Sequence, residues 1–160
     1  MAITSDIVES YRRPRAVLRR KLSAEPEEGG ALALLMGACV LIFISQWPAL
    51  ARAAATDPSI PLDARLGGAL MATLFLLPLI AYGIAALSHL VARALGGRGS
   101  YLGARLALFW ALLAISPLML LNGLARALLQ QGAALTTFGL VILLVFLVLW
   151  TNGLIEAERS

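Results

Sequence analysis

The sequence predicts an all-α, polytopic helical membrane protein, with four transmembrane helices behind an amino-terminal amphipathic helix. Three observations carry that prediction. Hydrophobic residues make up 60% of the 160 positions and charged residues only 14%, outside the balance of a water-soluble domain. Four apolar runs, at about 30–50, 66–87, 106–125 and 135–154, each reach the roughly 20 residues that a helix needs to cross a hydrocarbon core of about 30 Å. The cations are also uneven, because Arg12, Arg13, Arg15, Arg19, Arg20 and Lys21 are six of the thirteen Lys and Arg residues.

Helices are predicted over barrel strands because the runs are continuously apolar and rich in Leu and Ala, whereas barrel strands alternate over about ten residues. The first run starts near residue 30 and exceeds the roughly 7 to 15 residues of a signal-peptide core, so no cleaved leader is predicted. Residues 1–28 form a basic cytoplasmic segment, 29–155 the transmembrane domain and 156–160 a short tail. In the basic segment Ile7, Tyr11, Pro14, Leu18 and Leu22 fall within about 80° of a helical wheel, with most of the cations outside the stripe. Pro14 has no N–H to lose at a first helical position, so it opens a second helical piece, Pro14 to Leu22. This segment suits an anionic membrane surface, at about 1 kcal/mol per nearby cation, or its arginines serve only to set orientation. Glu25, Glu27 and Glu28 offset part of its charge.

Span one contains Cys39, the one cysteine, which has no intrachain disulfide partner. One Cys and one His fall short of the three or four ligands of a metal site, so neither metal nor cofactor is predicted. The loop from Ala51 to Arg65 includes Thr56-Asp57-Pro58-Ser59-Ile60-Pro61, an irregular turn. Pro78 in span two and Pro117 in span three each remove a backbone hydrogen bond and are the candidate kinks, with Ser116 or water expected to satisfy the carbonyl freed by Pro117. Gln130-Gln131-Gly132 reads as a tight turn into span four. The uncharged polar residues Ser45, Gln46, Thr73, Tyr82, Ser116 and Asn152 are expected to bond between helices, and Trp47, Trp110 and Trp150 to act as interfacial or packing aromatics. The pairs Ala33 with Gly37 and Ala81 with Ala85 offer close helix approach.

Four spans place the amino terminus, the loop after span two and the tail on one side. That side holds Arg12, Arg13, Arg15, Arg19, Arg20, Lys21, Arg93, Arg98, Arg105 and Arg159, against Arg52, Arg65 and Arg126 opposite. Ten cations against three predict that both termini are cytoplasmic. The spans themselves carry essentially no ionisable group, which disfavours a proton-driven transporter.

The segment after span two reads Ser88-His89-Leu90-Val91-Ala92-Arg93-Ala94-Leu95-Gly96-Gly97-Arg98-Gly99-Ser100-Tyr101. Gly96 and Gly97 suit a helix C-cap and tight turn, and His89 and Arg93 share one helical face. This connection, together with Arg13-Pro14-Arg15-Ala16-Val17-Leu18-Arg19 before the first span, resembles the bacterial branch of the Yip family, the Ypt-interacting-protein family of multispanning membrane proteins. The resemblance extends over about residues 6–154 and implies a compact helical membrane domain without an enzyme active site. Members of the family commonly have five spans. Splitting Tyr101 to Leu129 at Pro117 would supply the fifth, but each piece of about fourteen residues is too short to cross. The resemblance also implies a cytoplasmic docking or lipid-headgroup surface formed by His89, Arg93, Gly96, Gly97, Arg98 and Tyr101 with the basic foot. A turn that only sets helix geometry is the other reading of the same residues.

The function expected from these features is non-enzymatic: a membrane-organising or partner-complex scaffold in the bacterial inner membrane. Its partners would be membrane lipids with anionic headgroups, a membrane protein or a second copy, and no nucleic acid. The alternative is a small transporter or channel subunit using Tyr82, Ser116 and Asn122.

Overall fold

The structure, a computed structural model, describes residues 2–129 and 131–159; Gln130, the first residue of the predicted turn, lies outside them. Two short helices, α1 (Ile3–Ser10) and α2 (Pro14–Ser23), precede α3 (Glu28–Thr56). Next come α4 (Leu62–Met71), a π-helical turn at Ala72–Leu76 and α5 (Leu77–Ala94), which form one rod, and then α6 (Tyr101–Leu128) and α7 (Ala133–Arg159). The rod, α3, α6 and α7 are the four helices long and apolar enough to cross a membrane among the described residues. Span three is one continuous helix through Pro117, so the described residues contain four such spans and not five.

α6 forms the axis of the bundle. In its most apolar stretch 61% of residues are buried, against 17% in the α4–α5 rod and 11% in α7, whose outer faces are left to lipid. α3 runs parallel to α6: Glu28 pairs with Arg105 at one end, and Arg52 reaches the Ala127 and Leu129 carbonyls at the other. α5 and α7 run the opposite way, with Tyr82 against Phe109 and Gly153 against Ala107. Small residues set the closest approaches. A methyl on Gly123 would collide with the Ser45 carbonyl of α3, while Ala81 and Ala85 are buried against Leu108 and Phe109. Ala33, by contrast, is exposed.

The two predicted kink prolines are absorbed locally. The Ser116 hydroxyl donates to the Leu113 carbonyl at 2.5 Å, the carbonyl that Pro117 cannot serve, as expected from sequence. Pro78 follows the π turn, in which one wider turn shifts the hydrogen-bond register ahead of the missing N–H. Pro48, inside α3, is a third proline within a long helix.

The expectation of interhelical bonds is corrected for most of the polar residues. Ser45 and Gln46 both donate to the Ile42 carbonyl and Thr73 to Ala69, each within its own helix. Lipid offers no competing partner, so the nearest backbone acceptor, three or four residues back, takes the proton. Asn152 is the exception, because its amide donates to Val148 while its oxygen accepts from Arg15 of α2.

Candidate functional site

The polar side chains gather at the end of the bundle where the amino-terminal segment, the α5–α6 turn and the end of α7 meet. Pro14 does open α2, and the chain reverses at Tyr11-Arg12-Arg13, so that α1 and α2 form an antiparallel hairpin. The stripe that suited a lipid surface faces protein instead. Val17 and Leu18 are fully buried, and Leu18 packs beside Gly153, where an added Cβ would stand 3.3 Å from Leu18 Cδ2. Two rungs flank that contact: Arg15 Nε donates to Asn152 Oδ1 at 2.8 Å and Arg19 Nε to Glu156 Oε1 at 2.6 Å. Both pairs are four residues apart along their helices, so two parallel helices meet rung for rung.

α1 is held against α6. Trp110 Nε1 donates to Ser10 Oγ at 2.9 Å, the Lys21 ammonium lies 3.9 Å from the centre of the Trp110 ring, and the Tyr11 hydroxyl bonds the Ala114 carbonyl. Asp6, also buried, joins α1 to α2 by accepting from Arg20 at 2.6 Å and Lys21 at 3.1 Å; Arg20 further reaches Glu9. Burial alone would raise the Asp6 carboxyl pKa, but the hydrogen bonds and charges of Lys21 and Arg20 outweigh it and hold it below the ordinary value of 3.8.

The glycine-rich turn is shaped by the end of α7. Gly96 has φ +97°, Gly97 N–H donates to the Ala92 carbonyl at 2.8 Å and Gly96 N–H to Arg93 at 3.1 Å, which closes α5 in a Schellman cap. A side chain on Gly97 would come within 2.6 Å of Glu158 Oε2, and one on Gly99 would strike the Ala157 carbonyl. Glu158 is the hub. Its carboxylate meets His89 Nδ1 at 2.6 Å and accepts from Gly99 N–H at 3.1 Å, and its carbonyl accepts from Arg98 N–H at 3.0 Å. The Tyr101 ring packs on His89 at 4.3 Å between centroids, and the Ser100 hydroxyl caps α6 by accepting from Gly103 N–H.

The predicted site residues therefore divide. His89 is buried and faces Glu158, and Gly96 and Gly97 form the cap. Arg15, Arg19, Arg20 and Lys21 each hold an internal partner. Arg12, Arg13, Arg93 and Arg98 are exposed with no side-chain partner among the described residues, and Tyr101 shows 40% of its surface. Asp6, Glu156 and Glu158 are the residues that sequence reasoning passed over. Their one signal was the presence of acids in two otherwise basic or apolar segments. Tyr82, Ser116 and Asn122 do not converge: at Phe109, 116 and 122 along α6 they spread over about 20 Å.

Among the described residues no group of three or more His, Cys, Asp or Glu side chains could hold a metal ion. No curated protein and no solved structure matches the chain. The family model of the Yip1 domain matches residues 8–159, from within α1 to the end of α7. That match takes in the last turn of α1, all of α2, the four long helices and the glycine-rich turn, and by it the chain belongs to the Yip1 domain family of membrane proteins.

Proposed function

We propose that this Yip-family membrane protein is a non-enzymatic organiser, holding a partner membrane protein or local lipid at its basic end. We place that end on the cytoplasmic face of a bacterial inner membrane, with both termini inside. One observation carries the reading. The ion pairs of this end close the hairpin on itself and fix it and the glycine turn to α7, and Arg12, Arg13, Arg93 and Arg98 project outward from the frame so made. A fixed frame with outward cations suits recognition, because the helices that carry those cations are already ordered and little backbone freedom remains to be lost on binding. Purification in mild detergent followed by crosslinking and mass spectrometry should find a reproducible companion joined through the hairpin or the 95–101 turn. Recovery of the intact protein with neither companion nor retained lipid would overturn the reading.

A further inference from the structure

We propose that Arg13, Arg15 and Arg19, with Asn152, form a binding site for the phosphate of an anionic phospholipid, seated below the level at which the rest of the bundle meets the membrane surface. These four residues line one concavity of about 360 Å³ with Pro14 and Ala16. Arg15 and Arg19 each use Nε for their internal bond, leaving the outer guanidinium nitrogens free, and the Arg13 side chain has no partner among the described residues. Glu156 is the carboxylate paired here, so three cations face one anion. The site also lies at the first turn of α2, whose unpaired N–H groups favour negative charge.

Depth is the second, independent observation. Asn152 lies seven residues before Arg159, about 10 Å down α7. The hairpin tip beyond it is held to Ala114, well inside α6. On one face of α5 the surface stays apolar to the very turn: Leu87, Val91 and Leu95 are exposed, Leu95 by 84%. Lipid of uniform thickness would therefore leave these arginines beside hydrocarbon. Cations at that depth are stabilised by drawing headgroups down to them. A phosphate in this pocket supplies the missing anion, and the apolar outer face of α7, with Leu144 and Val148 exposed, runs on from it as a bed for acyl chains.

The site deepens the organiser reading and rests on it only for its biological use, so the two fail separately. The test uses the full chain in detergent, titrated with phosphatidylglycerol or phosphatidylcholine and read by native mass spectrometry. Phosphatidylglycerol should bind, and R13A/R15A should weaken it roughly thirtyfold, whereas R65A/R126A, with the same loss of charge at the opposite end of the bundle, should not. R13A alone removes no internal contact, so a reduced adduct in that variant is expected even if the double variant misfolds. Equal losses in both double variants, an unchanged adduct in R13A/R15A, or equal binding of phosphatidylcholine would overturn the site. So would a free inorganic phosphate adduct that depends on Arg13 and Arg15, because the ligand would then not be lipid. Protein crosslinks that persist in R13A/R15A would show the organiser reading standing without the lipid site.

Discussion

Ser116 and Glu158 illustrate how single side chains replace what the backbone cannot supply. Pro117 has no N–H for the Leu113 carbonyl, and the Ser116 hydroxyl fills that vacancy from the adjacent position. Removing a buried partner costs about 1–3 kcal/mol, so Ser116→Ala should destabilise the bundle by that order. In a Pro117→Ala background the new amide takes the Leu113 carbonyl, and the same Ser116→Ala change should then cost close to nothing. A double-mutant cycle, measured by unfolding in mixed micelles, should show this coupling; two independent, additive losses would refute the assignment. Glu158 performs a larger version of the same task. One carboxylate serves His89 and the Gly99 amide, so the last turn of α7 fastens the end of α5 to the start of α6.

Among elements, the amino-terminal hairpin departs most from what sequence suggests. Its carboxylate Asp6 has a folded pKa below 3.8, because Lys21 and Arg20 outweigh the cost of burial. A depressed folded value stabilises the docked hairpin above the unfolded pKa, and that contribution is lost as pH falls through the folded one. Acidification below 3.8 should therefore loosen α1 from α2 and release Lys21 from its place over Trp110. Emission from Trp110 in a W47F/W150F background should report it, since Trp110 sits under Lys21 and bonds Ser10. Asp6→Asn should remove the Asp6 share of the acid transition and leave the share that Glu156 contributes through Arg19, and an identical midpoint in both proteins would refute the linkage. The helices themselves were legible: hydropathy located four spans, Pro14 marked the start of α2 and Gly96 the end of α5. The docking was not, because Arg20 meets Asp6 across 14 positions, His89 meets Glu158 across 69 and Arg19 meets Glu156 across 137. No local period encodes pairings at such separations. The helix ends were underestimated for the same reason, since polar residues that pair internally let α3 and α7 continue past the apolar run.

On the scale of the whole molecule, an axial α6 surrounded by neighbours settles how charge is shared between the two ends. At the end away from the hairpin, Arg52 caps α6 through the Ala127 and Leu129 carbonyls, and Arg65 holds the 57–60 turn through Asp57 and Ile60. Two of the three cations there thus satisfy local backbone, leaving few to interact with a membrane surface. The hairpin end keeps Arg12, Arg13, Arg93 and Arg98 exposed, so the asymmetry in free charge is steeper than the ten-to-three count of residues. Because loop cations resist translocation, that asymmetry should orient the bundle with its hairpin end in the cytoplasm. Antiparallel packing of α7 on α6 brings the end of α7 to the same side. Reporter fusions after Ser160 should therefore read cytoplasmic, and those inserted between Thr56 and Ile60 should read external. Replacing Arg12, Arg13, Arg93 and Arg98 together by Asn should produce a mixed population at both sites, whereas replacing Arg52 and Arg65 should leave the orientation unchanged. An external carboxyl terminus in the wild-type chain would contradict the role given to free charge, and reporters that read the same side at both sites would contradict the count of four spans.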